Sequence, residues 1–153
     1  MSSGSGRARK LLSLLGSPAE MWLVLRMTAW ALVLPVLKHV VRLPRLAKLM
    51  WRDGKGSPSD AGVERVVRIA SLAARFGSLP RRDNCLEHSL ILYRYLSRLD
   101  ADPHLVAAMQ RREGDMRGHA WVTVDGVPVG AEDVSTFTPV LELGRGGSRL
   151  STG

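Results

Sequence analysis

The sequence predicts an α+β fold, with a helical N-terminal part followed by a small antiparallel sheet. Helical patterns fill the chain up to about residue 99, and short runs of alternating polarity follow them. From Ser17 onward, a capping serine, a proline and a glutamate occur in the order of a capping box, which marks a helix start. The pair Asp125-Gly126 between two alternating runs predicts a two-residue hairpin turn. Helices first and a hairpin sheet second is the α+β pattern.

The individual elements follow from their start and stop signals. Pro35 is expected to bend or end the first helix, and Pro44 to kink the second. Asp83 or Asn84 is expected to cap the fourth helix, and 112–118 is expected to be a loop. We expect helices over 17–34, 36–51, 59–77 and 85–99, and strands over 104–111, 119–124, 127–130 and 137–143.

The chain divides into four segments that differ in composition. Residues 1–16 are expected to be a flexible N-terminus, and 17–56 a helical segment rich in basic and apolar residues. Gly, Ser and Pro around residue 56 indicate a boundary, after which 57–143 form the core. Residues 144–153, rich in Gly and Ser, are expected to be a disordered tail.

The positive charge is concentrated in the N-terminal third. The chain has a net charge of +8, and up to residue 52 it carries nine Lys and Arg against one acid, Glu20. The remainder is neutral, with 13 basic and 13 acidic residues. This asymmetry indicates an anionic partner such as an acidic peptide or a lipid surface, or else a solvated basic helix face. Nucleic acid is not expected, because charge alone would support it, without a known motif or aromatic platform.

The expected compartment is the cytoplasm. A single cysteine excludes an internal disulfide and fits a reducing environment. The apolar run 21–37 is interrupted by Arg26 and Pro35, so it falls short of the ~20 apolar residues that a membrane span needs. We interpret this run as a buried or interfacial helix, which leaves membrane association open.

Cys85 and His119 are the candidate catalytic pair. Cys85 opens the fourth predicted helix, where unpaired N–H groups and the helix dipole favour a thiolate, the reactive form of a thiol nucleophile. His119 begins a strand that can pack against that helix end, within reach as a general base. The alternative is structural, because a lone cysteine is usually a small buried apolar residue and a strand histidine usually serves packing.

The hairpin register suggests an acid that orients the histidine. If Val124 faces Val127, counting outward puts Glu132 opposite His119, and Asp133 takes that place if a bulge shifts the register by one. His88, one turn after Cys85, is a rival base for which we favour a solvent or packing role. No convincing metal-ligand spacing and no phosphate-binding glycine loop is seen, so neither metal nor cofactor is expected.

The two candidate residues stand in motifs that resemble a known family. The segment NCLEHSLILYRYLSRLDADPHLVAAMQRREGDMRGHAWVTVDGVPVG resembles the transglutaminase-like cysteine peptidase domain of the lasso-peptide leader peptidases. That domain has a Cys-Leu-x-x-Ser-Leu helix, a strand of small apolar residues, and His-Ala-Trp-Val before Asp-Gly. The resemblance spans roughly 63–143, and the basic, apolar N-terminal part suits the stand-alone form.

The resemblance implies a papain/transglutaminase-like core, in which a Cys-bearing helix packs on a His-bearing antiparallel sheet. It implies a Cys-His-Asp triad with Cys85 as nucleophile and His119 as base. The family's acid position is Ala131 here, followed by Glu132 and Asp133. The Cys85 backbone N–H is a natural oxyanion donor at a helix start, and the Asn84 side chain is a candidate for the second donor.

The implied activity is removal of the leader from a ribosomally made lasso-peptide precursor. The implied partners are that precursor, a separate leader-recognition protein and an ATP-dependent cyclase. Two alternatives stay open: an acyl or amide transferase of the same fold, and a non-catalytic module that binds peptides or a membrane surface.

Overall fold

The fold is α+β, as the sequence predicts. The computed structural model describes residues 17–77, 84–131 and 133–150. Its helices are α1 (Pro18–Val40), α2 (Leu43–Met50), α3 (Asp60–Gly77) and α4 (Cys85–Arg98). Its strands are β1 (His104–Arg112), β2 (Asp115–Val124), β3 (Val127–Val129), β4 (Thr138–Leu143) and β5 (Arg149–Leu150). They form one antiparallel sheet in the order β3-β2-β1-β4-β5.

The Asp125-Gly126 turn joins β2 to β3 with the predicted register. Val124 pairs with Val127, and both turn residues have positive φ, 52° at Asp125 and 78° at Gly126. These angles are the ones that a type I′ hairpin requires. β3 is only three residues long, and its middle residue, Pro128, lies opposite Thr123.

The expected loop 112–118 is wrong, because β1 and β2 extend into it. Arg112 pairs with Asp115, leaving Glu113 and Gly114 as a second two-residue turn. Both turn residues again have positive φ, 49° at Glu113 and 92° at Gly114. Glu113-Gly114 therefore forms the same kind of tight hairpin turn as Asp125-Gly126. His119 therefore lies in the middle of a ten-residue strand and not at its start.

The first helix does not end at Pro35. α1 continues through it to Val40, and Pro44 lies in the first turn of α2, where its missing N–H is tolerated. Contacts beyond the proline hold the last turn, since the Lys38 ammonium lies 2.6 Å from the Glu87 carboxylate on α4. These contacts and the complete burial of Leu34 in the core accompany the continuation of α1, although Pro35 removes a backbone hydrogen bond.

The larger of two apolar clusters in the described chain holds α4 in position. Its members come from α1, α2, α3, α4 and the sheet, and several are completely buried: Met27, Leu34, Leu46, Ala70, Leu90, Leu96 and Val122. The helical N-terminal segment and the core segment therefore share one interior. α4 passes through the middle of this interior, with nine consecutive buried residues from Ser89 to Ser97.

Residues 144–150 are ordered, in contrast to the disordered tail expected from composition. They form a 3-10 turn and strand β5, which pairs with β4. The buried Tyr93 hydroxyl donates to the Gly144 carbonyl and accepts from the Gly147 N–H at 3.0 Å. Gly147 also fits tightly on α2, because a Cβ there would lie 2.7 Å from the Pro44 carbonyl oxygen. The remaining tail residues, 151–153, and the N-terminal residues 1–16 lie outside the described chain.

Candidate active site

Cys85 is the first residue of α4, as predicted. The first intrahelical bond of this helix runs from the His88 N–H to the Asn84 carbonyl at 2.9 Å, so the amides before His88 have no intrahelical acceptor. Asn84 makes no side-chain capping bond, and Asp83 lies outside the described residues. The Ser89 hydroxyl donates to the Cys85 carbonyl at 2.7 Å and fixes this first turn. The half-buried thiol therefore stands at the positive end of a rigid helix.

His119 lies on β2 and is half-buried. It pairs across the sheet with Ala108 of β1. Its ring packs against Phe137, with centroids 4.8 Å apart, and against Trp121 at 5.9 Å. Two aromatic neighbours restrict how the imidazole can rotate, which a base with a fixed task requires.

Cys85 and His119 border the same two depressions. One is a cavity of about 360 Å³ and the other a groove of about 670 Å³. The cavity is lined by Cys85, His88, Ser89, Leu92, His119, Ala120, Trp121, Val129, Gly130, Ala131, Asp133 and Phe137. The groove is lined by Asn84, Cys85, Met116, Arg117, Gly118, His119 and Phe137. The thiol and the imidazole thus stand where the two depressions meet, so an extended chain could pass over both.

Of the two candidate acids, the structure describes Asp133. It is exposed, borders the cavity with His119, and accepts a bond from the Ser135 N–H at 2.9 Å. The Ser135 hydroxyl and amide hold the pKa of Asp133 below its usual value, so this group is a carboxylate at neutral pH. Glu132 lies outside the described residues. Because β3 ends at Val129, the hairpin ladder does not reach the position expected opposite His119.

Gly130 directs the chain from β3 towards the cavity. Its φ is +63°, and a Cβ there would lie 3.0 Å from Leu92 Cδ1 and 3.2 Å from Val67 Cγ1. Both the backbone angle and the close approach to α3 and α4 demand glycine. The segment that carries Asp133 is thereby held against the helix that carries Cys85.

His88 borders the cavity as a half-buried side chain. Burial lowers the pKa of His88, so its imidazole is neutral near pH 7. Its Nε2 has no hydrogen-bond partner in the described part of the chain. It also borders a small cavity against Ala31 and Pro35 of α1, which agrees with a packing role rather than a solvent-exposed one.

The other described histidines lie outside this site. His104 has a partner that the sequence did not reveal, since its Nδ1 lies 2.8 Å from Glu142 Oε1 on β4. His39 is exposed near the end of α1. In the described ranges, no group of three His, Cys, Asp or Glu side chains could hold a metal ion.

The comparisons with known proteins agree with this arrangement. A family profile described as "Transglutaminase-like superfamily" matches residues 24–142. The chain belongs to the transglutaminase-like superfamily. No curated protein and no solved structure matches it. Members of this superfamily are in general cysteine hydrolases or transferases with a Cys-His-Asp set.

The superfamily match starts inside α1 and ends in β4. The family domain therefore includes most of the N-terminal helices, whereas the motifs alone indicated a domain that starts at about residue 63. Two residues around the site were missed from the sequence, Gly130 and Phe137; Trp121 was noted there only as part of the HAWV motif. A glycine directly after a predicted strand was the available signal for Gly130, whereas nothing local indicates that Phe137 packs on His119.

Proposed function

We propose that this transglutaminase-like protein is a cysteine peptidase that removes the leader from a ribosomally synthesised lasso-peptide precursor. The observation that carries the proposal is the shared position of Cys85 and His119 at the meeting point of a cavity and a groove. The likeness of the NCLEHSL and HAWV motifs to the leader peptidases supplies the substrate class.

The reaction divides into two acyl-transfer steps. The Cys85 thiolate attacks the carbonyl carbon at the leader–core junction and forms a tetrahedral oxyanion. The oxyanion collapses, the C–N bond breaks, and the His119 imidazolium protonates the departing amine. His119 then takes a proton from water, which attacks the thioester and releases a carboxylic acid and the Cys85 thiol. Water is the only co-reactant.

The oxyanion needs donors that are already oriented. The Cys85 backbone N–H is one, since it has no intrahelical acceptor at the start of α4. The Asn84 side-chain amide is the candidate second donor, because Asn84 lines the groove and is not used in capping.

Glu132 and Asp133 remain alternatives for the third member of the triad. Asp133 is supported by its place on the cavity wall and by its anionic state. Its carboxylate accepts from Ser135, and a carboxylate has enough acceptor sites to take an imidazole N–H as well. Glu132 is supported only by counting outward from the turn, beyond the last observed pair of the hairpin, Val122 and Val129.

The proposed setting is cytoplasmic. The precursor peptide is the substrate, a separate recognition protein presents its leader, and an ATP-dependent cyclase closes the released core peptide. No metal or other cofactor takes part in the proposed chemistry.

The test is cleavage of a lasso precursor from the same gene neighbourhood, with its recognition protein present, read by mass spectrometry. Wild type should cut one bond, and Cys85→Ala should lower the rate by at least about 10³-fold because the nucleophile is lost. His39→Ala serves as the matched control for His119→Ala, since His39 is exposed and outside the site. Equal cleavage by wild type and Cys85→Ala would exclude the mechanism. Transfer of the acyl group to an added amine in preference to water would indicate a transferase.

A further inference from the structure

The outward face of α1 is apolar along nearly its whole length. Large exposed side chains recur at helical spacing, from 47% exposure at Val33 to 78% at Val40. From Met21 to Val40 they span about 30 Å at 1.5 Å per residue. We call this set the α1 outer stripe, and its members are Met21, Trp22, Leu25, Leu32, Val33, Val36 and Val40. Water-soluble monomers seldom expose a continuous apolar surface of this size, so the stripe has the character of a binding surface.

The opposite face of α1 limits what can cover the stripe. α1 is long and apolar enough to cross a membrane, and only 17% of the relevant window is buried. However, Met27 and Leu34 on the inner face are completely buried in the core. A helix crossing the bilayer would have to pull these side chains out of the core. A helix lying flat in the interface keeps them packed and buries only the stripe.

Cations stand beside the N-terminal end of the stripe. Trp22, Arg26, Arg65 and Arg98 line a pocket of about 380 Å³ there. Arg65 is paired with Glu20 at 2.9 Å. Within the described ranges, Arg26 and Arg98 are in no ion pair.

The same corner of the molecule holds further uncompensated charge. Burial lowers the pKa of Arg94, and the nearby charges of Arg52, Arg98 and Arg26 lower it further. At the other end of the stripe, α2 adds exposed cations at Arg45 and Lys48 directly after α1.

We propose that the α1 outer stripe docks this protein onto a membrane surface rich in anionic phospholipid, with α1 parallel to the bilayer. The apolar stripe enters the headgroup–acyl boundary, Trp22 lies at headgroup level, and the arginine-lined pocket faces lipid phosphates. A symmetric dimer through this face would instead bring like charges together, because residues 17–52 hold six Lys and Arg and one acid. The proposal is independent of the catalytic pair.

The test uses the full chain and two kinds of vesicle, phosphatidylcholine alone and phosphatidylcholine with phosphatidylglycerol. Co-sedimentation should be strong only with the anionic vesicles and should weaken with salt. Millimolar inorganic phosphate should not compete, because a single ion cannot replace the apolar contact. Circular dichroism of each variant establishes that it is folded.

Matched pairs of variants separate the apolar and electrostatic contributions. Val33→Gln with Val36→Gln should weaken partitioning by about tenfold or more, whereas Val127→Gln with Val140→Gln, of similar exposure on the sheet, should not. Arg42→Gln with Arg45→Gln should weaken it by about 25-fold, from about fivefold per charge. Arg111→Gln with Arg112→Gln removes the same net charge from exposed positions at the β1–β2 turn and should have a much smaller effect.

Three results would overturn the proposal. The first is no binding of wild type to anionic vesicles. The second is an equal loss in the stripe variants and their sheet controls. The third is a dimer, seen by light scattering, that the Val33 and Val36 substitutions dissociate, since that would make a second copy the occupant of the stripe.

Discussion

Replacing Gly130 by alanine should destabilise the fold and distort the catalytic cavity together. The left-handed backbone, with φ +63°, costs an alanine about 1 kcal/mol. The new Cβ would lie 3.0 Å from Leu92 and 3.2 Å from Val67, and Leu92 is 1% exposed, so it has little room to move. Such overpacking costs about a further 1–2 kcal/mol. The total is about 2–3 kcal/mol, or a fall in Tm of about 4–12 °C for a domain of this size.

Gly146→Ala is the matched control for this experiment. Its φ is +62°, almost identical, and a Cβ there meets nothing within 4 Å, so only the backbone contribution of about 1 kcal/mol applies. Urea denaturation followed by circular dichroism measures the free energy of unfolding of both variants. Cleavage activity should fall only in Gly130→Ala, because Gly130, Ala131 and Asp133 line the cavity. Equal destabilisation by the two substitutions would refute the argument that close packing fixes Gly130.

Three further predictions concern the site, an ion pair and the C-terminal segment. Cys85 is the one cysteine that iodoacetamide can alkylate, and His119→Ala should slow its alkylation by at least about tenfold, because the imidazole favours the reactive thiolate. The rate is measured by mass spectrometry over time. An unchanged rate would show that His119 does not activate Cys85. Lys38→Met should lower the free energy of unfolding by about 3–5 kcal/mol, because it leaves Glu87 buried without its partner. The double variant Lys38→Met with Glu87→Leu should regain most of that free energy in the same denaturation assay. Burial raises the pKa of Tyr93 to about 12, from its usual 10.0, against the opposing effect of the Gly147 N–H. The folded state therefore holds this proton more tightly than the unfolded state, and about 2 kcal/mol of stability should be lost as the pH rises from 10 to 12. Tyr93→Phe should lack that loss, and the same pH dependence in the variant would assign it to other groups.

The turns, helix starts and strands that depend on neighbouring residues could be predicted from the sequence. The Asp125-Gly126 turn and its register follow from the backbone angles that these two residues tolerate. The start of α3 follows from Ser59, whose hydroxyl accepts from the Gly62 N–H at 3.2 Å. Cys85 at the start of α4 and His119 on a strand follow in the same way, and their common cavity follows from the packing of that helix on that strand.

Features that depend on distant contacts could not be predicted. α1 continues past Pro35 with contacts to distant parts of the chain, among them the bond from Lys38 to Glu87, which is 49 residues away. The order of residues 144–150 rests on Tyr93, which lies 51 residues before Gly144. The chain path after β3 depends on how closely Gly130 approaches α3 and α4, and no count along the hairpin contains that information.

Pro128 has a consequence for how this sheet meets other chains. In a two-residue hairpin the pair next to the turn, here Val124 and Val127, forms two backbone hydrogen bonds with each other. Because the direction of the backbone groups alternates along a strand, those of the next residue, Pro128, point away from β2, towards the free edge of β3. Proline has no N–H, and Val127 and Val129 direct theirs towards β2, so the free edge of β3 offers no donor for a neighbouring strand. The opposite edge, β5, is two residues long. A peptide that enters the groove therefore has β2, and not β3, as its possible backbone partner. β2 from Asp115 to Trp121 pairs with β1 on one side and is not covered by β3 on the other, and this part of β2 lines the groove at Met116 to His119. The same lack of a donor makes β3 a poor template for strands of other copies, which disfavours edge-to-edge aggregation at that strand.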